Sequence, residues 1–117
     1  LLQTYVQGVL VRIGSVGLLG RYVQRPTADR RRVVDYSRFL TKGEVVRSVS
    51  VSVTPTTDPE FEIHTLVISP EGDKVAYYAR GGVEGEEYTA TFTVTTSLRQ
   101  VWPHDIRFAV REPPQYG

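Results

Sequence analysis

The run from Glu87 to Thr96 alternates almost without fault: Tyr88, Ala90, Phe92 and Val94 take one parity, and Thr89, Thr91, Thr93 and Thr95 take the other. A period of two belongs to a half-buried β-strand and does not fit an amphipathic helix, whose period is 3.6. The same period recurs through the second half of the chain. Val45, Val49, Val51 and Val53 alternate with Val46, Ser48, Ser50 and Ser52 until Pro55. Phe61 to Ile68 follows and closes on the turn Pro70-Glu71-Gly72-Asp73. Val75 to Ala79 ends at Gly81-Gly82, and Ile106, Phe108 and Val110 mark a last strand before Pro113-Pro114. The only helical hint is one turn over Ser37 to Leu40. Roughly six or seven short strands from Val33 onward predict an all-β, immunoglobulin-like antiparallel β-sandwich. Inward parity predicts a core of Val49, Val51, Val53, Phe92, Val94, Ile106, Phe108 and Val110. Tyr88, opening its strand after Gly85-Glu86-Glu87, is placed for a tyrosine corner, against the plainer reading of a core Tyr whose hydroxyl reaches solvent.

The first 25 residues have a different character. Only Arg12 and Arg21 carry charge up to Gln24, and Gly8, Gly14, Gly17 and Gly20 break the run. A membrane helix needs about 20 nearly uninterrupted apolar residues, and Gln3, Gln7 and Arg12 interrupt this stretch. Tyr5, Val9, Val11 and Ile13 share parity and read as extended chain, with Val16 to Val23 as a second extended piece after Gly14-Ser15. The expected division is an extended apolar N-terminal arm over residues 1–25, a polar linker over 26–32, the sandwich over 33–112 and a tail over 113–117. Leu2, Tyr5, Val9, Val11, Ile13, Leu18 and Leu19 of the arm are candidate contacts with another subunit; the competing reading makes the arm the first strands of the same domain. Arg30, Arg31 and Arg32 read as a solvated patch, with a contact to phosphate or an acidic partner as the alternative.

Chemistry is sparse. With no Cys, thiolate catalysis, Cys-ligated zinc and iron–sulfur clusters are excluded. His64 and His104 stand far apart, and no ligand spacing for a metal, no phosphate loop and no local catalytic constellation accompanies them. His104, between Pro103 and Asp105, is expected to hydrogen-bond locally in a loop. No enzyme activity, cofactor or metal is expected. Fourteen Lys and Arg against 13 Asp and Glu leave a net charge of +1, which argues against a dedicated nucleic-acid binder. Trp102, the single tryptophan, is a core residue or an interface anchor, and Pro103 beside it favours an edge or loop. Asp35 and Ser37 are expected to tie down the lead-in to the sandwich by bonding nearby backbone, with Tyr36 and Leu40 packed beneath and a partner contact through Tyr36 as the alternative.

Two segments carry a resemblance. VVDYSRFLTKGEVV, residues 33 to 46, and YYARGGVEGEEYTATFTVTTS, residues 77 to 97, are similar to a family of small bacteriophage fibre–tail adaptors. The shared positions are Asp35, Tyr36, Ser37, Leu40, Gly43 and Glu44, then Gly81, Gly82, Gly85, Tyr88, Thr95, Thr96 and Ser97. Tyr36 stands where the family usually has Trp, Leu98 where a Gly often follows Thr-Ser, and the arm lies outside the resemblance. The resemblance implies a non-enzymatic virion structural protein of the tail or neck, assembled in the host cytoplasm. It implies partners among the tail fibre and the portal, adaptor or tail hub proteins, and a homo-oligomeric ring, without nucleic acid or membrane. The alternatives are a head decoration, neck or tail-completion protein and, in a different class, a carbohydrate-binding sandwich. The last would need an exposed aromatic platform, for which only Tyr77, Tyr78 and Trp102 are available.

Overall fold

The alternating segments are strands. The computed structural model describes residues 3–6, 9–12 and 17–112, with side chains from residue 20. Two short strands, β1 (Gln3–Val6) and β2 (Val9–Arg12), pair antiparallel with each other. Seven more build the sandwich: β3 (Gly17–Gln24), β4 (Asp29–Asp35), β5 (Val46–Thr54), β6 (Phe61–Ile68), β7 (Lys74–Gly81), β8 (Glu87–Thr96) and β9 (Val101–Val110). One sheet has the order β3-β9-β8-β5 and the other β4-β7-β6. This order fits an immunoglobulin-type Greek key with β4 to β9 in the places of B, C, D, E, F and G. β3 lies parallel to β9 at the edge, Gly17 opposite His104 and Gln24 opposite Val110. No described helix is long and apolar enough to cross a membrane.

The core sits between the inner faces. Phe92, Val94, Ile106, Phe108 and Val110 are buried, as their parity requires, with Tyr88 beside them in the same sheet, and Phe61, Val75 and Tyr77 meet them from the other sheet. Val49, Val51 and Val53 pack against this core but remain partly exposed, because β5 is an edge strand with a neighbour on one side only. Val46 corrects the parity read from the sequence. A register shift between Val46 and Ser48 resets the alternation, so Val46 is buried together with the inward-facing residues that follow. On the outer face, Ser48, Ser50 and Ser52 lie opposite Thr95, Thr93 and Thr91, a hydroxyl-bearing surface that suits solvent.

The expected boundaries shift at the N-terminal end. Residues 17–24, assigned to a free arm, form an edge strand of the sandwich: Tyr22 packs on Phe108 with ring centroids 5.6 Å apart, and buried Gln24 donates from Nε2 to the Ala79 carbonyl of the opposite sheet at 2.6 Å. The linker shrinks to a turn, in which Ala28 N–H donates to the Arg25 carbonyl, and β4 already begins at Asp29. Charge misled the reading. Asp29, Arg30 and Arg31 are exposed on an edge strand, while Arg32 folds its guanidinium over the Tyr22 ring at 3.9 Å. The tail over 113–117 lies outside the described residues.

Tyr88 forms the corner. Its hydroxyl accepts from Val83 N–H at 2.8 Å, five residues upstream, and lies 2.7 Å from Thr57 Oγ1. The ring stacks on Phe61 at 4.9 Å. Gly82 makes room for that ring: its φ is positive, and a Cβ there would lie 3.0 Å from the Tyr88 ring. Tyr88→Phe keeps the stacking and orphans the Val83 amide. It should destabilise the fold by about 1–3 kcal/mol in denaturant melts.

Candidate functional site

Residues 35–45 and the end of β8 at Thr96 and Ser97 meet at one end of the sandwich and lock to one another, while Gly81, Gly82, Gly85 and Tyr88 form the corner at the other end. Asp35 closes β4, and its Oδ1 accepts the Ser37 N–H at 2.9 Å, an Asx-type turn that holds the carboxyl below its ordinary range. The chain then makes a single turn, with Phe39 and Leu40 N–H groups donating to the Tyr36 carbonyl. Beyond Gly43, which adopts positive φ, the Glu44 carboxylate is buried. Its Oε1 accepts from Thr41 N–H at 3.0 Å and Thr41 Oγ1 at 3.2 Å, and its Oε2 accepts from Thr96 Oγ1. Val45 N–H donates to Ser97 Oγ at 3.0 Å, and Ser97 N–H returns a bond to the Val45 carbonyl at 2.8 Å. Glu44 and Val45 of the first segment are therefore clamped to Thr96 and Ser97 of the second. The hairpin that follows uses Arg99 at φ 64° for the left-handed residue, with Leu98 exposed. That is how a turn without the usual glycine closes here.

Tyr36 is placed differently from the partner-contact alternative. It is 1% exposed and its hydroxyl lies 2.7 Å from His104 Nε2. Burial pushes the Tyr36 ionisation well up, so the phenol stays protonated in this bond to the ring. His104 also departs from expectation. It is a buried residue of β9, stacked on Phe92 at 5.7 Å, not a loop residue. Burial lowers its pKa from the ordinary 6.5, opposed by a hydrogen bond with the Trp102 backbone and the nearby Asp105 carboxylate. Below pH 6.5 the unfolded chain then binds more protons than the folded one. The stability is complete above that pH and falls as the pH drops toward the lowered folded value. Melts taken from about pH 7.5 to about pH 5.5 should show the loss, and His104→Phe, less stable throughout, should lack that component.

Trp102 lies within β9, 7% exposed, and Phe39 packs edge-on against it at 5.9 Å. Pro103 is tolerated inside this strand because β3 pairing begins only at His104, so at Pro103 the strand has one neighbour. Of the three aromatics available for a glycan platform, Tyr77 is fully buried and Trp102 nearly so, while Tyr78 is half-exposed and stacked on His64. Among the described residues no group of three or more His, Asp or Glu converges on a possible metal position.

Of the arm candidates, Tyr5 lies in β1, Val9 and Val11 in β2, and Leu18 and Leu19 in β3, while Leu2 and Ile13 lie outside the described residues. Tyr36 and Trp102 belong to the core. Two residues that the sequence reading passed over are instead at the surface: Val33, 42% exposed, and Phe39, 37% exposed. They border a cavity of about 180 Å³ between β3 and β4, walled by Tyr22, Val34, Asp35 and Ile106. A signal for Val33 existed. Adjacent Val33 and Val34 cannot both face inward on a regular strand, so one must be exposed.

No curated protein matches the chain. The family model Gp77, described as podophage GP4 fiber-tail adaptor protein gp77, matches residues 24–108, which run from the last residue of β3 into β9 and take in both clamped segments. The chain belongs to the podophage GP4 fiber-tail adaptor family.

Proposed function

We propose that this protein attaches a tail fibre to the tail or neck of a podophage particle, as a non-enzymatic structural subunit that works within a homo-oligomeric ring. The family match over residues 24–108 carries the reading. The physical character of the chain supports it. Its polar groups are spent on locking the sandwich, as in the Glu44–Thr96 and Tyr36–His104 bonds. The apolar segment before Gly17 lies outside the family match and supplies an element for contact with another virion subunit. Assembly in the host cytoplasm suits a chain without cysteine. The test is a particle made without this protein. Electron microscopy should show heads with tails and no fibres, restored when the protein is supplied in trans. Particles that keep their fibres would overturn the adaptor role. Particles that lack the tail itself would favour a tail-completion or neck protein.

A further inference from the structure

The two open sides of the sandwich are not equivalent. On one side β5 and β6 lie against each other and close the seam. On the other, β3 and β4 leave the cavity bordered by Val33 and Phe39. In the seven-stranded constant-type sandwich, the sheet holding B, E and D also carries A beside B. Here β4 takes the B position and has no second neighbour among the described residues, because the first strand of the sandwich, β3, pairs with β9 in the opposite sheet. A free edge is a template for strand addition unless charge blunts it. Arg30 and Arg31 are exposed on the first half of β4 and make no ion pair among the described residues, so that half is guarded. The second half, Val33 to Asp35, has no cation and presents an exposed valine beside a cavity lined by Tyr22, Phe39 and Ile106 as well as by Asp35.

The same chain contains a segment that fits this short stretch. β1 and β2 are four residues each and, among the described residues, pair only with each other. A two-stranded sheet of that length is marginal by itself in water. Val9-Leu10-Val11 in β2 is apolar, and Arg12 is the only charged residue of either strand. We propose that the β1–β2 hairpin of one copy adds to the second half of β4 in a second copy, extending the three-stranded sheet to five and covering the cavity. The contact is head-to-tail, so repeated around a closing rotation it generates a ring. It rests on the reading of the N-terminal segment as an intersubunit element and names the seat that element occupies.

The absence of cysteine makes the pairing measurable in the full chain. A Val33→Cys copy is mixed with copies carrying Val9→Cys, Leu10→Cys, Val11→Cys or Arg12→Cys, and mixed disulfide dimers are quantified after mild oxidation. Two alternating positions should cross-link about fivefold more than the other two, since successive strand residues face opposite sides. In sedimentation, Val33→Asp should weaken self-association about tenfold or more with an unchanged melting temperature, because the residue is exposed in the single subunit. A strictly monomeric parent chain, or a flat cross-linking pattern, overturns the proposal. If the hairpin cysteines cross-link in particles to a fibre or tail protein and not to Val33→Cys, the second-copy seat is wrong while the adaptor role stands. Particles that keep their fibres without this chain would overturn the adaptor role separately.

Discussion

Deleting residues 1–25 should unfold the protein, whereas deleting residues 1–12 should leave the sandwich folded. The longer deletion removes β3, and with it the parallel edge of the β9 sheet. Phe108, buried at the centre of the core, loses the Tyr22 ring, and the Ala79 carbonyl loses the buried amide of Gln24. Arg111 N–H, which donates to the Gln24 carbonyl at 2.9 Å, loses its acceptor as well. An exposed aromatic and unpaired main-chain groups along β9 together should cost about 5 kcal/mol or more, comparable to the whole stability of a typical domain. Among the described residues the shorter deletion removes β1 and β2, which pair with each other and with no strand of the sandwich. Circular dichroism and amide exchange on the two truncated chains measure the difference. A cooperative native melt from the 26–117 chain would show that β3 contributes little.

Phe92→Ala should be the most damaging single substitution of the core, costing about 3–5 kcal/mol. The side chain is fully buried in a central strand, with the Tyr77 ring 5.0 Å away across the sandwich, the His104 ring stacked beside it, and Val51 opposite in the register. Truncation removes the surface against which His104 stacks, and His104 in turn holds Tyr36, so the cavity cannot collapse without releasing the turn after β4. For a domain of about this size the loss corresponds to a fall in melting temperature on the order of 15–30 °C. Thermal denaturation checks it. Phe92→Leu, which keeps most of the volume, should recover more than half of the loss, since volume-conserving exchanges usually cost less than about 1.5 kcal/mol.

Period and turn chemistry in the sequence determined the strands as strands. β6 and β8 run from Phe61 to Ile68 and from Glu87 to Thr96, the bounds that alternation and flanking turns require. The Asp35–Ser37 turn and the Tyr88 corner were likewise legible, because each is a bond between groups only two and five residues apart. What only the tertiary structure decided is how the strands and polar groups pair at long range. A period of two assigns a residue to a face, and it does not name the strand lying alongside. The parallel pairing of β3 with β9 joins segments at opposite ends of the chain, so apolar residues of an edge strand read as a detached arm. The arginines of β4 read as a linker for a related reason: an edge strand can carry charge on its exposed face and still complete its ladder on the other side. Tyr36 was legible as a packed residue, but its partner His104 lies 68 residues away, and Glu44 and Thr96 are 52 apart with no local pattern that marks a carboxylate for burial. Desolvation makes such groups costly unless a partner is brought to them, and only the closed sandwich brings the partner.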